Sequence, residues 1–434
     1  MTKTITRRQF ITRSAGTVAV GLFMPKLLLG QTGPGSRSPK DSSRKIFVVI
    51  QLAGGNDGLN TVIPYTDSNY AAQRPNLAFK EPDLKDSSGN STIISDQLGL
   101  HPSLSELKSL YDAGRVAVVL GVGYPDPNLS HFFSMDVWHT ADPTGLAGEG
   151  WLGRYADVAL INQTGLTSAA VASGALPKSL LSPKVVVPSI LSFQFYDFLT
   201  DPAHPEDNQN QLNTYQANAA RNLAAGSLVA SINHIGSDAV SNALQLKDSI
   251  SHYSSSVVYP SDNPLAQGLQ MVAEIVTTAP DANLLYVSLG GFDHHSNEID
   301  HSGATPNKLA GQHAQLLGWF SQAVKLFYDD MAAHSLADDV VLLQWSEFGR
   351  RVNENDSFGT DHGTAAPMFL IGNPIHGGLY GSQPSLASSD LDEAGNMKFN
   401  VDFRSVYATV ADHWLGVDSG SILGGSFDDV GLFG

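Results

Sequence analysis

The sequence predicts an α/β protein built on a mostly parallel sheet, and three observations carry that prediction. Continuous apolar runs cover Ile46 to Leu52, Val116 to Val122, Leu284 to Leu289, Val340 to Leu343 and Pro367 to Ile371. They lack the alternation of half-exposed strands, as burial on both faces requires. Segments of helical periodicity separate the runs, the order a parallel sheet needs. Each run also abuts polar residues able to do chemistry. Gly54-Gly55-Asn56-Asp57 follows the first run and Pro127-Asn128-Leu129-Ser130-His131 the second. Gly291-Phe292-Asp293-His294-His295 follows the third, Ser346-Glu347-Phe348-Gly349-Arg350 follows the fourth, and Asp361-His362-Gly363 precedes the fifth. Parallel sheets bind ligands outside the carboxyl ends of their strands, so these tips are read as one site.

The globular part starts at Ile46. Leu104, Leu107, Leu110 and Tyr111 predict a helix that Ala113-Gly114 ends, and the Val116 strand follows directly. His131 to Trp138 has helical periodicity without a breaker, which puts Ser130 at that helix's N-terminus. Trp151-Leu152-Gly153-Arg154-Tyr155 opens another amphipathic helix, and Val185 to Phe195 is β-rich. From Asn208 to Val276 the texture changes to Ala, Leu, Asn, Gln and Ser at helical spacing, read as a helical insertion over 208–276. Leu309 to His334 is a long amphipathic helix with Leu316, Phe320, Val324 and Phe327 as its core stripe. Near the end, Asp402-Phe403-Arg404 leads into a helix through Val410 and Trp414.

Composition narrows the chemistry. A formal net charge of −17 argues against nucleic acid and anionic membrane surfaces. An anionic substrate stays open, because a bound divalent ion inverts the local field. With no cysteine in 434 residues, disulfides, thiolate ligands and a cysteine nucleophile are excluded, so any metal is held by His and oxygen donors. Thr6-Arg7-Arg8-Gln9-Phe10-Ile11 is a twin-arginine sequence, and the apolar run from Ala15 to Gly30 is too short and broken to span a membrane. Residues 1–30 are therefore expected to be a signal peptide and 31–44 a Ser/Pro/Gly-rich linker. Residues 45–434 would be a periplasmic or secreted domain, passed through the twin-arginine translocation machinery, with no transmembrane segment in the mature chain.

A hydrolase of phosphoryl or sulfuryl esters needs a divalent ion to polarise a non-bridging oxygen and a nucleophile near the metal or a base. It also benefits from the donors of a helix N-terminus. Asp57, Asp293, His295, Glu347, His362 and Asp361 are the candidate ligands for that ion, with Zn, Mn, Mg and Ca undistinguished. Asp293 and His295 share a face of an extended tip while His294 points away. Ser130 is the candidate nucleophile and His131 the candidate proton carrier. Each has a structural alternative: Asp57 a turn or cap residue, His295 part of a His-rich surface loop, and Ser130 an N-cap. Glu347 is alternatively the partner of Arg350 or Arg351, since an unpaired carboxylate there is costly. Asp361 either binds or orients His362.

These motifs, together with Gly58-Leu59-Asn60-Thr61, Phe132, Gly150-Trp151-Leu152-Gly153-Arg154 and Asp402-Phe403-Arg404, occur in one order over nearly the whole mature chain. In them the chain resembles the twin-arginine-exported branch of the alkaline phosphatase and sulfatase superfamily, catalogued largely as a domain of unknown function. The resemblance implies an alkaline-phosphatase-like fold with a metal centre. It matches Asp57 to the first acid, Ser130 to the nucleophile position, Asp293 and His295 to the middle pair, and His362 to the last ligand. Glu347-Phe348 departs from the pattern, standing where an Asp-His pair is expected, which leaves room for one metal or for no catalysis. Lack of cysteine removes the usual formylglycine precursor of sulfatases. The expectation is an exported metal-dependent hydrolase of phosphate esters, ahead of sulfate esters, acting on an anionic ester or glycan. The alternative is a non-catalytic secreted binding protein that keeps the fold.

Overall fold

The computed structural model describes residues 44–163, 165–193, 201, 203–219, 229, 236, 240, 243–244 and 246–434. The expected signal peptide and nearly all of the linker lie outside the described residues, as does part of the expected insertion. One sheet is formed by β1 (Ile46–Ala53), β2 (Val116–Gly123), β3 (Ser168–Val171), β4 (Ser189–Ile190), β5 (Leu284–Gly290), β6 (Val340–Trp345), β7 (Ala366–Ile371), β8 (Gly378–Tyr380) and β9 (Val401–Asp402). Its spatial order is β8-β2-β7-β6-β1-β5-β3-β4, and β9 also pairs with β2. The apolar run of β1 occupies the middle, with Phe47 opposite both Leu284 and Val341, and Ile46 through Leu52 is buried throughout.

The fifth apolar run departs from the expected direction. β7 is antiparallel to both of its neighbours, β2 and β6, while the other pairings of this sheet are parallel. The connection from β6 explains the reversal. It is an antiparallel hairpin of Arg350–Glu354 with Thr360–His362, without the crossover helix a parallel return requires. An antiparallel strand enters the sheet at the edge where parallel strands leave it. Asp361 and His362 therefore reach the common edge by preceding their strand.

Alternate strand residues feed two helical layers. On one face Ile46, Val48, Ile50 and Leu52 join the cluster of α1 (Ser105–Asp112), α4 (Pro264–Thr278) and α5 (Gln312–Ala333). On the other, Phe47 and Val49 pack with α2 (His131–Thr140), α3 (Trp151–Ala159) and α6 (Phe403–Thr409). There Trp138 stacks between Trp345, at 5.4 Å, and Phe403, at 4.4 Å, and Trp151 stacks on Tyr407 at 4.3 Å. The predicted stripe of α5, Leu316, Phe320, Val324 and Phe327, is buried, each side chain contributing roughly 1.5–3 kcal/mol.

The segment read as a helical insertion divides in two. Asn208–Ala219 is a helix with exposed and half-buried residues. Pro264–Thr278 is instead a core helix, because Leu265, Leu269, Val272 and Val276 form a buried stripe at spacings of three and four. The chain leading into α4 is moored by one carboxylate: buried Asp330 on α5 accepts hydroxyls from Tyr253 at 2.6 Å, Ser255 at 2.5 Å and Tyr259 at 2.8 Å. Arg44 donates to the carbonyls of Val276, Ala279 and Ala282 at 2.5–2.9 Å, capping the carboxyl end of α4 where a cation is favoured. The β-rich stretch from Val185 shortens to Ser189–Ile190 among the described residues. No helix among them is long and apolar enough to cross a membrane.

Candidate metal centre

The exits of β1, β5 and β6 lie against one another because Gly54 permits it. Gly54 has φ +126°, and a Cβ there would stand 2.5 Å from the Asp293 nitrogen, a conformation and an approach open to glycine. Its N–H donates to Glu347 Oε1 at 2.8 Å. Arg350, fully buried, laces the same loops together. Its guanidinium donates to the carbonyls of Gly54, Gly55 at 2.6 Å, Phe292 at 3.2 Å and Thr360 at 2.8 Å. One nitrogen also reaches Asp293 Oδ1 at 2.7 Å. Partial burial pushes the Asp293 carboxyl up, but Arg350 outweighs it and holds the group at about 2, ionised at any ordinary pH.

Three histidines face that carboxylate in the same way. His362 Nδ1 donates to the Leu129 carbonyl at 2.7 Å; a carbonyl only accepts, so the ring proton sits on Nδ1 and Nε2 carries the lone pair. His295 Nδ1 donates to Asp361 Oδ1 at 3.0 Å, and His131 Nδ1 to Glu347 Oε1 at 2.9 Å. All three Nε2 atoms turn to Asp293: His362 and His295 lie 3.2 Å from Oδ1, and His131 lies 3.4 Å from Oδ2. His362 Nε2 and His295 Nε2 are themselves 2.9 Å apart. Phe348 floors the cluster, its ring 4.9 Å from that of His131 and 4.6 Å from that of His362.

Lone pairs converging on a carboxylate repel unless a proton or a cation lies among them. Fixing Nδ1 as donor, through a carboxylate or carbonyl, is the arrangement that presents Nε2 to a metal. His131, Asp293 and His362 each offer one atom within 4.8 Å of the others, and His295 Nε2 adds a further donor beside Asp293 and His362. The donor set, nitrogen and oxygen without sulfur, fits a divalent ion. Asp293 and His295 are about half exposed, so a small ester can reach the cluster. The hydrogen bond that His131 donates to Glu347 lifts His131 above its ordinary value, whereas burial pushes His362 down.

Of the eight sequence-predicted residues, six meet here: His131, Asp293, His295, Glu347, Asp361 and His362. Glu347 and Asp361 stand behind the rings of His131 and His295, and Glu347 pairs with neither Arg350 nor Arg351. Ser130 directly precedes His131 and is exposed. Its side chain makes no capping bond, and its N–H takes Asn128 Oδ1 at 2.8 Å. Asp57 lies elsewhere. Both its oxygens are held by Arg74, at 2.5 and 2.9 Å, with both residues buried. Around this pair stand Glu298, hydrogen-bonded to Asp57, Asn60 and Thr360 on Glu298 at 3.1 Å each, and Tyr70 on Asn60 at 2.7 Å. Burial next to Asp57 raises Glu298 well above the usual carboxyl range, so it is the protonated partner. His294 points away from the cluster, buried with its ring 5.7 Å from that of His313.

Sequence reasoning missed Arg74, Glu298 and His313, none of which stands at a strand tip. Arg350, expected only as an alternative partner for Glu347, pairs with Asp293 instead. Glu347→Gln is expected to weaken metal affinity roughly 10–100-fold with little loss of fold, because His131 loses its charged orienting partner. A competition titration against a chromophoric chelator measures this; unchanged affinity would deny Glu347 that role.

A family model described as "Protein of unknown function (DUF1501)" matches residues 44–425. No curated protein matches the chain. Among solved structures the chain is similar to Ps i-CgsB in complex with k-i-k-neocarrahexaose, at 9% identity and TM-score 0.40, covering 89% of this chain and 73% of that one. It is similar to a protein in the alkaline phosphatase superfamily from Vibrio parahaemolyticus at 10% identity and TM-score 0.34, covering 79% and 64%. A sulfatase from Pseudoalteromonas sp. gives 10% identity and TM-score 0.35, covering 89% and 71%. Superpositions this loose say nothing about chemistry.

Proposed function

The chain belongs to the DUF1501 family of proteins of unknown function, and from that premise we propose that it is an exported metal-dependent hydrolase of phosphate esters, ahead of sulfate esters. The observation that carries this reading is the convergence of three Nε2 atoms on Asp293. His131, Asp293 and His362 would hold the ion, with His295 beside them. Imidazole donors favour zinc over magnesium or calcium. When bound, the ion would polarise a non-bridging ester oxygen and hold the anionic group.

The chain's own groups supply the rest. Ser130 stands at the N-terminus of α2, where backbone donors and the helix dipole favour an anion. Its hydroxyl has no partner among the described residues, which suits a nucleophile better than a cap. Arg350 keeps Asp293 charged and fixed, and Glu347 and Asp361 keep two imidazoles aimed inward.

One observation favours the non-catalytic alternative. Asp57, the acid that the resemblance places at a metal, is committed to Arg74. A panel of phosphate and sulfate esters with added Zn²⁺, Mn²⁺, Mg²⁺ or Ca²⁺ separates the readings. Metal-dependent turnover of a phosphate ester, abolished by chelation, is expected; stoichiometric metal with no turnover of any ester would favour a binding protein. Export rests on Arg7-Arg8, and Lys-Lys at these positions should hold the protein in the cytoplasm, whereas normal periplasmic accumulation would refute the address.

A further inference from the structure

The loop after His295 and the first turn of α5 form a groove of about 670 Å³. Asn297 lines it, two residues beyond the cluster's His295, a reach of at most about 7 Å along the backbone. The near wall is held in place: Asn297 N–H donates to the Ser357 carbonyl at 3.1 Å and Glu298 N–H to that of Phe358 at 2.9 Å. Asn297 and Phe358 both adopt φ +56°, a conformation that packing must enforce in non-glycine residues.

The lining has a definite chemistry. Gln312 and Gln315, exposed on one face of the first turn of α5, have no side-chain hydrogen-bond partner among the described residues. Each amide both donates and accepts, as hydroxyl groups require. The Asn297 amide oxygen is bonded to His301 at 2.6 Å, and the His301 ring is stacked on Phe358 at 4.4 Å, giving a rigid planar flank. Leu309, 53% exposed, adds an apolar patch.

Charge excludes one ligand class. Neither lysine nor arginine lines the groove, and Asp300 is its one ionic side chain. Lys308, on the same loop, is turned onto Asp83 at 2.8 Å and the Ala78 carbonyl at 2.6 Å. A second phosphate or a sulfated sugar would meet a carboxylate and no cation. An uncharged ring with hydroxyls on its edge and C–H groups on its face fits the amides, the imidazole and Leu309 together.

We propose that this groove is the subsite for an uncharged sugar, the part of the substrate that carries the ester. The inference rests on the hydrolase reading for its position in turnover, but the groove's affinity for sugar does not. The test uses the intact, metal-loaded protein in two arms. In the first, an array of neutral oligosaccharides is probed with wild type and with the Gln312→Ala/Gln315→Ala double variant, whose exposed positions leave folding intact. Retention of a neutral oligosaccharide, weakened roughly tenfold or more in the variant, is expected. In the second, kcat and KM are compared for hexose 6-phosphates and p-nitrophenyl phosphate. The variant should raise KM for the sugar phosphate by roughly tenfold and leave p-nitrophenyl phosphate unchanged. Failure to retain any neutral oligosaccharide, or retention unaltered by the variant, overturns the subsite. Variant-sensitive retention without turnover of any ester supports the subsite and overturns the hydrolase reading instead.

Discussion

Ser130→Ala is expected to lower ester turnover by roughly 10³-fold or more, the scale on which a nucleophile acts, while metal content and melting temperature stay close to wild type. The Ser130 side chain caps nothing in α2, so the usual cost of about 0.5–2 kcal/mol for losing a serine cap does not apply. The Leu129 carbonyl that fixes His362 belongs to the backbone and survives the change. Steady-state kinetics beside a metal assay and a melt decide the point. Near-normal activity with a lowered melting temperature would make Ser130 a helix-start residue and nothing more.

Arg74→Met is expected to destabilise the fold by about 3–5 kcal/mol at neutral pH, the usual result of leaving a buried charge unpaired. Burial raises the Asp57 carboxyl, but the charge and hydrogen bonds of Arg74 outweigh it and hold Asp57 at about 2. An unfolded Asp titrates near ~3.9. The folded value is depressed, so this contribution is complete above the unfolded value and is lost as pH falls towards 2. Without Arg74, Asp57 resists ionisation and binds a proton. The deficit of the variant should therefore shrink as pH is lowered from 7 to 4. Adding Asp57→Leu should recover much of the loss, since a buried pair replaced by apolar groups is often near neutral. Denaturant unfolding at both pH values measures this. A deficit below about 1 kcal/mol at pH 7 would mean that water reaches the pair and screens it.

The contrast between these two sites shows what the sequence made legible. Strand cores were readable because Ile46 to Leu52 and Val340 to Leu343 are apolar without alternation, a pattern that burial on both faces dictates. Chemistry-bearing residues at the tips were readable for the same reason, since a parallel sheet delivers its strand exits to one edge. Direction was not readable in β7: an apolar strand looks alike either way, and only the hairpin of Arg350–Glu354 with Thr360–His362 decides it.

Roles within the site were less legible than membership. Glu347 and Asp361 carry the same letters whether they touch a metal or a ring nitrogen, and His131 was read as a proton carrier because it sits beside a serine. Partner choice depends on fractions of a turn that spacing does not encode. Asp57 illustrates the limit. Its strand-tip position suggested a ligand, but Arg74, seventeen residues on, closes over both oxygens from a loop that carries no strand signal.

The most direct test of the account is the metal content and affinity of the intact exported protein, with His131→Ala and His362→Ala variants beside it. One tightly held divalent ion per chain is expected, lost in both variants because each removes an Nε2 that faces Asp293. Wild-type protein that binds no divalent ion, or a His362→Ala variant that keeps a full complement, would contradict it.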